Sequence, residues 1–266
     1  MKIPTLPTLQ EMLDAGVHFG HKKQYSDARG RDNFYGVRDK IVIINLEKTR
    51  SSLEKALEFL AKEAASGATF LFVGTKPQVR SFIKTTATDL NMPYVTTRWL
   101  GGTLTNFETI EKNLKKLNKL EEELKSSEKV LTKKEKTVLQ RTIDRSKFNL
   151  GGMESLKNLP DVLVVIDPVE EKLAIREAKA MGIPTVAMMD TNANPAGITF
   201  PIPANDDVPK SLELILGLIK ETIAQNYKAK VETGAKLDEK SKNKNSSIRH
   251  PEIDSGSSNQ LDKLGK

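Results

Sequence analysis

The residues best suited to chemistry follow short apolar runs of strand type. Gly74-Thr75-Lys76 comes directly after residues 69–73, and a glycine with a nearby lysine can hold a phosphate group. The spacing G-x-x-x-x-G-K-[ST] of a phosphate-binding loop is absent, and no G-x-G-x-x-G follows any strand-type run. Aspartates at strand ends and helix starts are ordinary turn and cap residues, and the sequence has four of them: Asp167, Asp190, Asp206 and Asp207. The chain is therefore predicted not to be an enzyme, with a nucleotide or sugar-phosphate-binding enzyme as the alternative.

Two histidines near the N-terminus could supply metal ligands. His18 and His21 stand three residues apart, and imidazole is a good ligand for Zn²⁺. The sequence offers no convincing third ligand, so we predict no cofactor and keep these two histidines as the metal candidates. The chain has no cysteine, which excludes disulfides, thiolate metal sites and cysteine nucleophiles.

A basic stretch with interleaved aromatic residues follows the histidines. Residues 22–50 contain eight Lys or Arg and four Asp or Glu, and Tyr25, Phe34 and Tyr35 stand among the cations. In RNA recognition, aromatic rings stack on bases and cations meet phosphates. An ordinary surface loop with a few inward-facing rings would show the same pattern. The net charge of +7 also favours a polyanionic partner.

The predicted RNA contacts come from this stretch and from two later segments. Arg98-Trp99 includes the only tryptophan of the chain and stands just before Gly101-Gly102. The cations predicted to contact phosphates are Lys22, Lys23, Arg29, Arg31, Arg38, Lys76, Arg80 and Arg98. The predicted stacking rings are Tyr25 and Trp99.

Apolar periodicity places these residues on an α/β domain. Strand-type runs alternate with amphipathic helices, and the runs are residues 41–44, 69–73, 94–96, 163–166 and 185–189. This alternation predicts a doubly wound domain with a mostly parallel sheet, of Rossmann or flavodoxin type. Binding loops would then lie at the carboxyl ends of the strands.

One segment of different character interrupts the alternation. Phe107, Ile110, Leu114 and Leu117 recur at 3-4-3 spacing, the pattern of a coiled-coil seam. Thr132 and Glu135 have the spacing of a capping box, which begins a second helix. We predict that residues 106–150 form an inserted antiparallel coiled-coil helical hairpin, bracketed by Gly101-Gly102 and Gly151-Gly152.

The chain is thus predicted to have four regions. They are an N-terminal helix and basic loop (1–40), an α/β core (41–105 and 151–228), the hairpin (106–150) and a disordered tail (229–266). The tail is rich in Lys, Ser, Asn, Glu and Gly and has little to bury. No apolar run approaches the ~20 residues that span a bilayer, and the N-terminus has no apolar signal core. We therefore expect a cytoplasmic protein without a membrane partner.

Several longer motifs resemble one family, the bacterial small-subunit ribosomal protein S-two. They occur in the family's order over roughly residues 8–226. The motifs are residues 13–21, 72–76, 93–95, 98–107, 131–135, 159–161, 182–184, 190–192 and 201–207. The chain departs from the family after His21, where residues 24–31 replace a stretch similar to Trp-Asn-Pro-Lys-Met.

The resemblance implies a non-enzymatic role in the small ribosomal subunit. It implies a Rossmann-like core with a coiled-coil hairpin, and contacts with 16S ribosomal RNA and neighbouring ribosomal proteins rather than with DNA. It also implies help in anchoring the messenger-binding ribosomal protein S-one, with the hairpin side involved. The family further raises a metal ion near the histidine-bearing segment.

Overall fold

The N-terminal region contains a small antiparallel sheet. After helix α1 (Leu9–Asp14), strands β1 (Phe19–Lys22), β2 (Phe34–Arg38) and β3 (Ile41–Ile44) pair in the order β1-β3-β2. The computed structural model describes residues 1–126 and 132–245, with side chains up to residue 227.

The small sheet differs from the prediction for this region. Residues 41–44 do form a strand, but they pair antiparallel with β1 and β2 and do not belong to the main parallel sheet. Residues 1–40 likewise contain two strands in addition to the predicted helix. The turn between β2 and β3 is Asp39-Lys40, with φ of +50° and +67°. Positive φ at both residues is the geometry of a two-residue hairpin turn, but Asp-Lys lacks the Asn-Gly or Asp-Gly signature that would reveal it.

The main domain has five parallel strands. They are β4 (Phe70–Val73), β5 (Tyr94–Val95), β6 (Val162–Ile166), β7 (Thr185–Met189) and β8 (Phe200–Pro203). The other helices are α2 (Leu46–Ser66), α3 (Arg80–Asp89), α4 (Phe107–Ser126), α5 (Lys133–Leu150), α6 (Lys172–Met181) and α7 (Pro209–Asn245). The strand order is β5-β4-β6-β7-β8, so β5 lies on one side of β4 and the later strands lie on the other side. The predicted doubly wound α/β fold is confirmed.

Both faces of the main sheet are covered, as its continuous apolar strands require. Alternate side chains of β4, β6 and β7 enter different cores. Phe70 and Phe72 of β4 face a core completed by α2, α3 and α7, whereas Leu71 and Val73 face a core completed by α6 and the start of α4. Trp99 and Leu104 lie in this second core.

Helices α4 and α5 occupy the predicted insertion between β5 and β6. Ile110 and Leu114 of α4 and Leu150 of α5 are buried in the second core, which attaches the two helices to the sheet. The two helices also contact each other through an ion pair between Lys147 of α5 and Glu121 of α4, with 2.5 Å between Nζ and Oε1. The capping box of Thr132 and Glu135 is present at the start of α5. Residues 127–131, which contain most of the predicted helix connection, lie outside the described residues.

The last helix is longer than predicted. We expected it to end near residue 228, whereas α7 continues to Asn245. Residues 229–245, assigned to a disordered tail, therefore have helical backbone. The lysines and glutamates that made them look unable to fold are also good helix formers. The remainder of the predicted tail, residues 246–266, lies outside the described residues.

The second Gly-Gly pair can be tested by a paired glycine substitution. A Cβ at Gly152 would lie 2.2 Å from the carbonyl oxygen of Tyr94, whereas one at Gly217 in α7 would meet nothing within 4 Å. We expect Gly152→Ala to lower the free energy of unfolding by about 1–3 kcal/mol through overpacking. Gly217→Ala should raise it by up to about 1 kcal/mol through helix propensity. Urea denaturation of both variants measures the difference, and equal stabilities would contradict the close approach.

Candidate functional site

Lys76 is the centre of an ion cluster at the carboxyl ends of the strands. Its Nζ lies 2.9 Å from Oδ1 of Asp206, 3.3 Å from Oδ2 of Asp167 and 2.5 Å from Oδ1 of Asp207. Asp206 has no exposed side-chain surface. Burial, and then the charge of Asp167, raise the pKa of Asp206 to about 7 even though Lys76 lowers it. The cluster joins the ends of β4 and β6 to the start of α7.

This cluster lies where doubly wound folds commonly bind nucleotides. The topological switch point is between β4 and β6, and ligands enter the crevice outside their carboxyl ends. Here the crevice is lined by acids: beside the Lys76 cluster, the buried Glu171 accepts a hydrogen bond from the N–H of Thr75 at 2.7 Å. Burial raises the pKa of Glu171. The positive charge of Lys76 is neutralised by the carboxylates of the protein itself. Because these carboxylates repel phosphate, the geometry does not favour a bound nucleotide.

A second group of ligating side chains lies beside the first. His21 on β1 has Nδ1 3.0 Å from Oδ2 of Asp190 and Nε2 3.7 Å from Oδ2 of Asp207. One ligand atom from each of these three residues falls within 4.8 Å of the others. The Asp190 carboxylate raises the pKa of His21 against burial, which lowers it. Asp207 is shared with Lys76, so the two clusters are continuous.

The donor set fits a transition-metal ion such as Zn²⁺. One imidazole and two carboxylates are the kind of three-ligand set that leaves a fourth position for water. Oδ2 of Asp190 is buried and, among the described residues, has no well-aligned hydrogen-bond donor, although Nδ1 of His21 lies 3.0 Å away. Its other oxygen, Oδ1, accepts from the hydroxyl of Thr191 at 2.9 Å. A buried oxygen without a donor is suited to a cation.

The two histidine candidates separate in the structure. His21 belongs to the cluster, but His18 does not. The ring of His18 packs against Phe19 with 4.0 Å between centroids, and burial lowers its pKa. The sequence could have indicated Asp190 and Asp207 as ligands, because both stand at ends of elements that meet at one edge of the sheet. The missing information was that residues 19–22 form a strand reaching that edge.

Most of the predicted RNA contacts are on the surface. Exposed side chains are found at Lys22, Lys23, Tyr25, Arg29, Arg31, Arg38, Arg80 and Arg98. Arg29 has a local partner in Asp27, with 2.6 Å between Nη2 and Oδ2, and Nε of Arg80 donates to the carbonyl of Thr75. Exposed pairs of this kind contribute little and exchange readily for other partners.

Two of the predicted contacts have other partners. Trp99 is 7% exposed and its indole N–H points to Oε1 of Glu177 at 3.3 Å, so its ring faces the second core and is not free to stack on a base. Lys76 is held by three carboxylates. Neither Trp99 nor Lys76 is therefore free for the RNA contact predicted for it.

The small sheet brings several cations together. Lys22 and Arg38 both pair with Ile41, from opposite sides, which places their Cα atoms about 10 Å apart. The N–H of Lys23 donates to the carbonyl of Lys40 at 2.8 Å. We call Lys22, Lys23, Arg38 and Lys40 the cationic end of the small sheet. Lys40 was missed from the sequence because its position depends on the hairpin turn.

The small sheet also presents apolar surface. Tyr35 is 81% exposed. It lines a groove of about 310 Å³ with Leu9 and Leu13 of α1 and Ile43 of β3. Tyr35 lies three residues before Arg38, toward the other end of β2, and was not among the predicted stacking rings.

Comparison with known proteins identifies the family. The family model described as Ribosomal protein S2 matches residues 12–226. This chain belongs to the ribosomal protein S2 family. It is similar to the small ribosomal subunit protein uS2 of Wolinella succinogenes, with 42% identity over 219 residues, 82% of this chain and 81% of the relative. The uS2 of Erythrobacter litoralis is 41% identical over 226 residues, 85% of this chain and 92% of the relative.

Membership of the ribosomal protein S2 family settles the class of function. The chain is a structural, non-enzymatic constituent of the small ribosomal subunit, located in the ribosome of the cytoplasm. The uS2 of Francisella tularensis subsp. novicida shows the same likeness, 42% over 234 residues, 87% of this chain and 97% of the relative. The predicted family and the absence of enzymatic function are confirmed, and the enzyme alternative is set aside. In the described part of the chain, no helix is long and apolar enough to cross a membrane.

The ion cluster can be tested by removing its cation. We expect Lys76→Met to lower the free energy of unfolding by about 3–5 kcal/mol, because it leaves buried carboxylates without a counter-charge. Lys84→Met, at an exposed position of α3, is the matched control and should change stability by less than about 0.5 kcal/mol. Denaturant titrations at neutral pH compare the two variants. If Lys76→Met were as stable as the control, the cluster would not hold these elements together.

Proposed function

We propose that this S2-family chain binds 16S ribosomal RNA through the cationic end of the small sheet. The observation that carries the proposal is the convergence of Lys22, Lys23, Arg38 and Lys40 on one end of a rigid three-stranded sheet. These side chains are exposed, and cations on a fixed backbone suit the regular spacing of phosphates. Tyr25, two residues after Lys23, and Tyr35, three residues before Arg38, are exposed and supply rings for base stacking.

Further cations extend this surface beyond the small sheet. Arg29 and Arg31 lie in the segment between β1 and β2, which is tied to the main domain where the N–H of Asp27 donates to the carbonyl of Thr191 at 2.9 Å. Arg80 and Arg98 are exposed on the main domain, near the ends of β4 and β5. We assign these four cations to outer phosphate contacts.

The salt dependence of RNA binding tests the cationic end. The logarithm of affinity for a single-stranded segment should fall with log salt by about 0.7 per phosphate neutralised. Lys22→Gln/Arg38→Gln should therefore reduce the slope by about 1.4 against fragments that tile 16S ribosomal RNA. Lys55→Gln/Lys62→Gln removes the same charge from exposed positions of α2 and should leave the slope unchanged. Filter binding across a salt series measures both, and equal slopes for the two double variants would contradict the assignment.

We also propose that α4 and α5 form an antiparallel coiled-coil arm that contacts neighbouring ribosomal proteins. Ile110 of α4 and Leu150 of α5 lie together at the base. Leu124, near the end of α4, lines a cavity with Lys136 and Gln140 from the first turns of α5. This pairing supports opposite directions for the two helices. The groove beside Tyr35 supplies a second apolar surface for protein partners, and the messenger-binding protein S-one is the partner that we assign to this chain.

A metal ion is proposed for the His21 cluster. His21, Asp190 and Asp207 would hold it, and it would join β1 of the small sheet to the end of β7 and the start of α7. The ion supplies a structural crosslink and no reaction step. The buried Oδ2 of Asp190, which has no well-aligned donor among the described residues, supports this proposal.

Zinc binding can be measured on histidine variants. We expect the metal-free protein to bind Zn²⁺ in isothermal titration calorimetry and to gain thermal stability with added Zn²⁺, because the ion binds the folded state. His21→Ala should abolish both effects, since it removes the only nitrogen ligand of the cluster. His18→Ala is the control and should retain them. Zinc binding that survives His21→Ala, or that is lost in His18→Ala, would contradict the proposed ligand set.

A further inference from the structure

The loop before α4 directs its hydrogen-bond donors at one carboxylate. Glu177 of α6 accepts from the N–H of Gly102 at 2.8 Å and from the N–H of Leu104 at 2.9 Å. The N–H and the hydroxyl of Thr105 lie 3.3 Å from Oε2, and the indole N–H of Trp99 lies 3.3 Å from Oε1. Both carboxylate oxygens of Glu177 therefore accept hydrogen bonds from a single loop, which is more than 70 residues away in the sequence.

Glu177 is buried and remains ionised. It is 6% exposed. Burial by itself raises the pKa of Glu177. Hydrogen bonds from the N–H groups of Leu104, Gly102 and Thr105 lower the pKa by more than this, so the net shift is downward. An ionised carboxylate is an acceptor only, and its bonds to N–H donors are about twice as strong as neutral ones. The loop is thus a concave set of backbone N–H groups that encloses an internal anion.

This loop leads directly into α4. Gly102 has φ of +89°, which turns the chain between Trp99 and α4. The N–H groups of Gly102, Leu104 and Thr105 donate to Glu177, and not to a strand or to the backbone of a helix. Without that carboxylate, three buried or half-buried N–H groups would lose their hydrogen-bond acceptor, which is unfavourable for buried donors.

We propose that Glu177 is the positioning residue that fixes the direction in which α4 and α5 leave the α/β core. Glu177 belongs to the core helix α6, and its acceptors hold the chain directly before α4. Burial of Leu104, Ile110 and Leu114 in the second core attaches the insertion, but packing alone leaves interhelical angles scattered by roughly 15–20°. The directional bonds to Glu177 set that angle. This inference rests on the proposed role of α4 and α5 as a docking arm.

Substitutions of Glu177 separate this role from general stability. Glu177→Gln keeps the side-chain volume but replaces one acceptor oxygen with a donor group that faces N–H groups. Glu177→Asp keeps the charge and shortens the side chain. Glu170→Gln removes an exposed carboxylate close to α6 and serves as the matched control.

The measurement is a distance distribution between paired spin labels. The chain has no cysteine, so labels can be placed at chosen sites without background. A label on Lys62 of α2 and one on Lys119 of α4 report the direction of the insertion, and a pair on Lys62 and Lys84 reports the core; all three positions are exposed. We expect Glu177→Gln to broaden the 62–119 distribution and to shift its centre by several ångströms, with the 62–84 distribution unchanged. Glu177→Asp should have a smaller effect, and Glu170→Gln none.

A 62–119 distribution in Glu177→Gln that matches the parent protein would overturn the inference. If Glu177→Gln fails to fold, Trp99→Phe carries the test, because it removes one donor to the same carboxylate and keeps a ring in the core. It should broaden the 62–119 distribution without changing the 62–84 pair, and no broadening would again overturn the inference. Pull-down of small-subunit proteins by the parent chain is measured separately. Its failure would count against the docking arm and leave the effect of Glu177 on helix direction standing.

Discussion

The structure depends on how one lysine is placed among acids. Lys76 comes from the end of β4, and its carboxylate partners come from the end of β6 and from the start of α7. β4 and β6 pair along their length, and this cluster lies where their carboxyl ends meet the amino end of α7. A buried ion cluster is a poor source of net stability, because desolvation of the charges offsets their attraction. Its effect is on geometry: Asp207 also faces His21, so the cluster fixes the small sheet in relation to the main domain.

This use of charge explains how a fold often associated with nucleotides serves a structural role. The crevice at the switch point has the usual place in the fold, but its lysine is neutralised from inside. In our proposal, phosphate recognition belongs to cations at the periphery, on the small sheet and on the surface near the ends of β4 and β5. The same architecture therefore supports a different function through the side chains that line its loops.

The main sheet could be predicted from the sequence because its signals are local. Residues 70–73, 163–166 and 186–189 are continuous apolar runs, and the helix cap at Thr132 is a readable motif that the structure confirms. The small sheet could not be predicted in the same way. Its strands are short, β1 and β2 each contain a glycine and end in a charged residue, and the turn at Asp39-Lys40 has no glycine to mark it. For this reason the sequence did not reveal Asp190 and Asp207 as neighbours of His21.

Buried polar partners were also beyond the reach of the sequence pattern. Glu177 looks like an exposed residue of an amphipathic helix, and only the loop that folds against it shows its role. Trp99 looked available to RNA because an arginine precedes it, whereas its ring completes the second core. In both cases the deciding contact joins residues more than seventy positions apart, and local periodicity carries no information at that separation.

The pairing of β4 with β6 has a consequence for synthesis on the ribosome. Phe70 pairs with Val162, and the N–H of Thr69 is bonded to Asp161, 92 residues later. At about 5–20 residues per second, β4 waits on the order of 5–20 seconds for its neighbour. During that interval α4 and α5 are made, and their contacts are local and form early. The insertion therefore delays closure of the sheet, and β4, whose side chains are all apolar, has exposed backbone and apolar surface until β6 arrives.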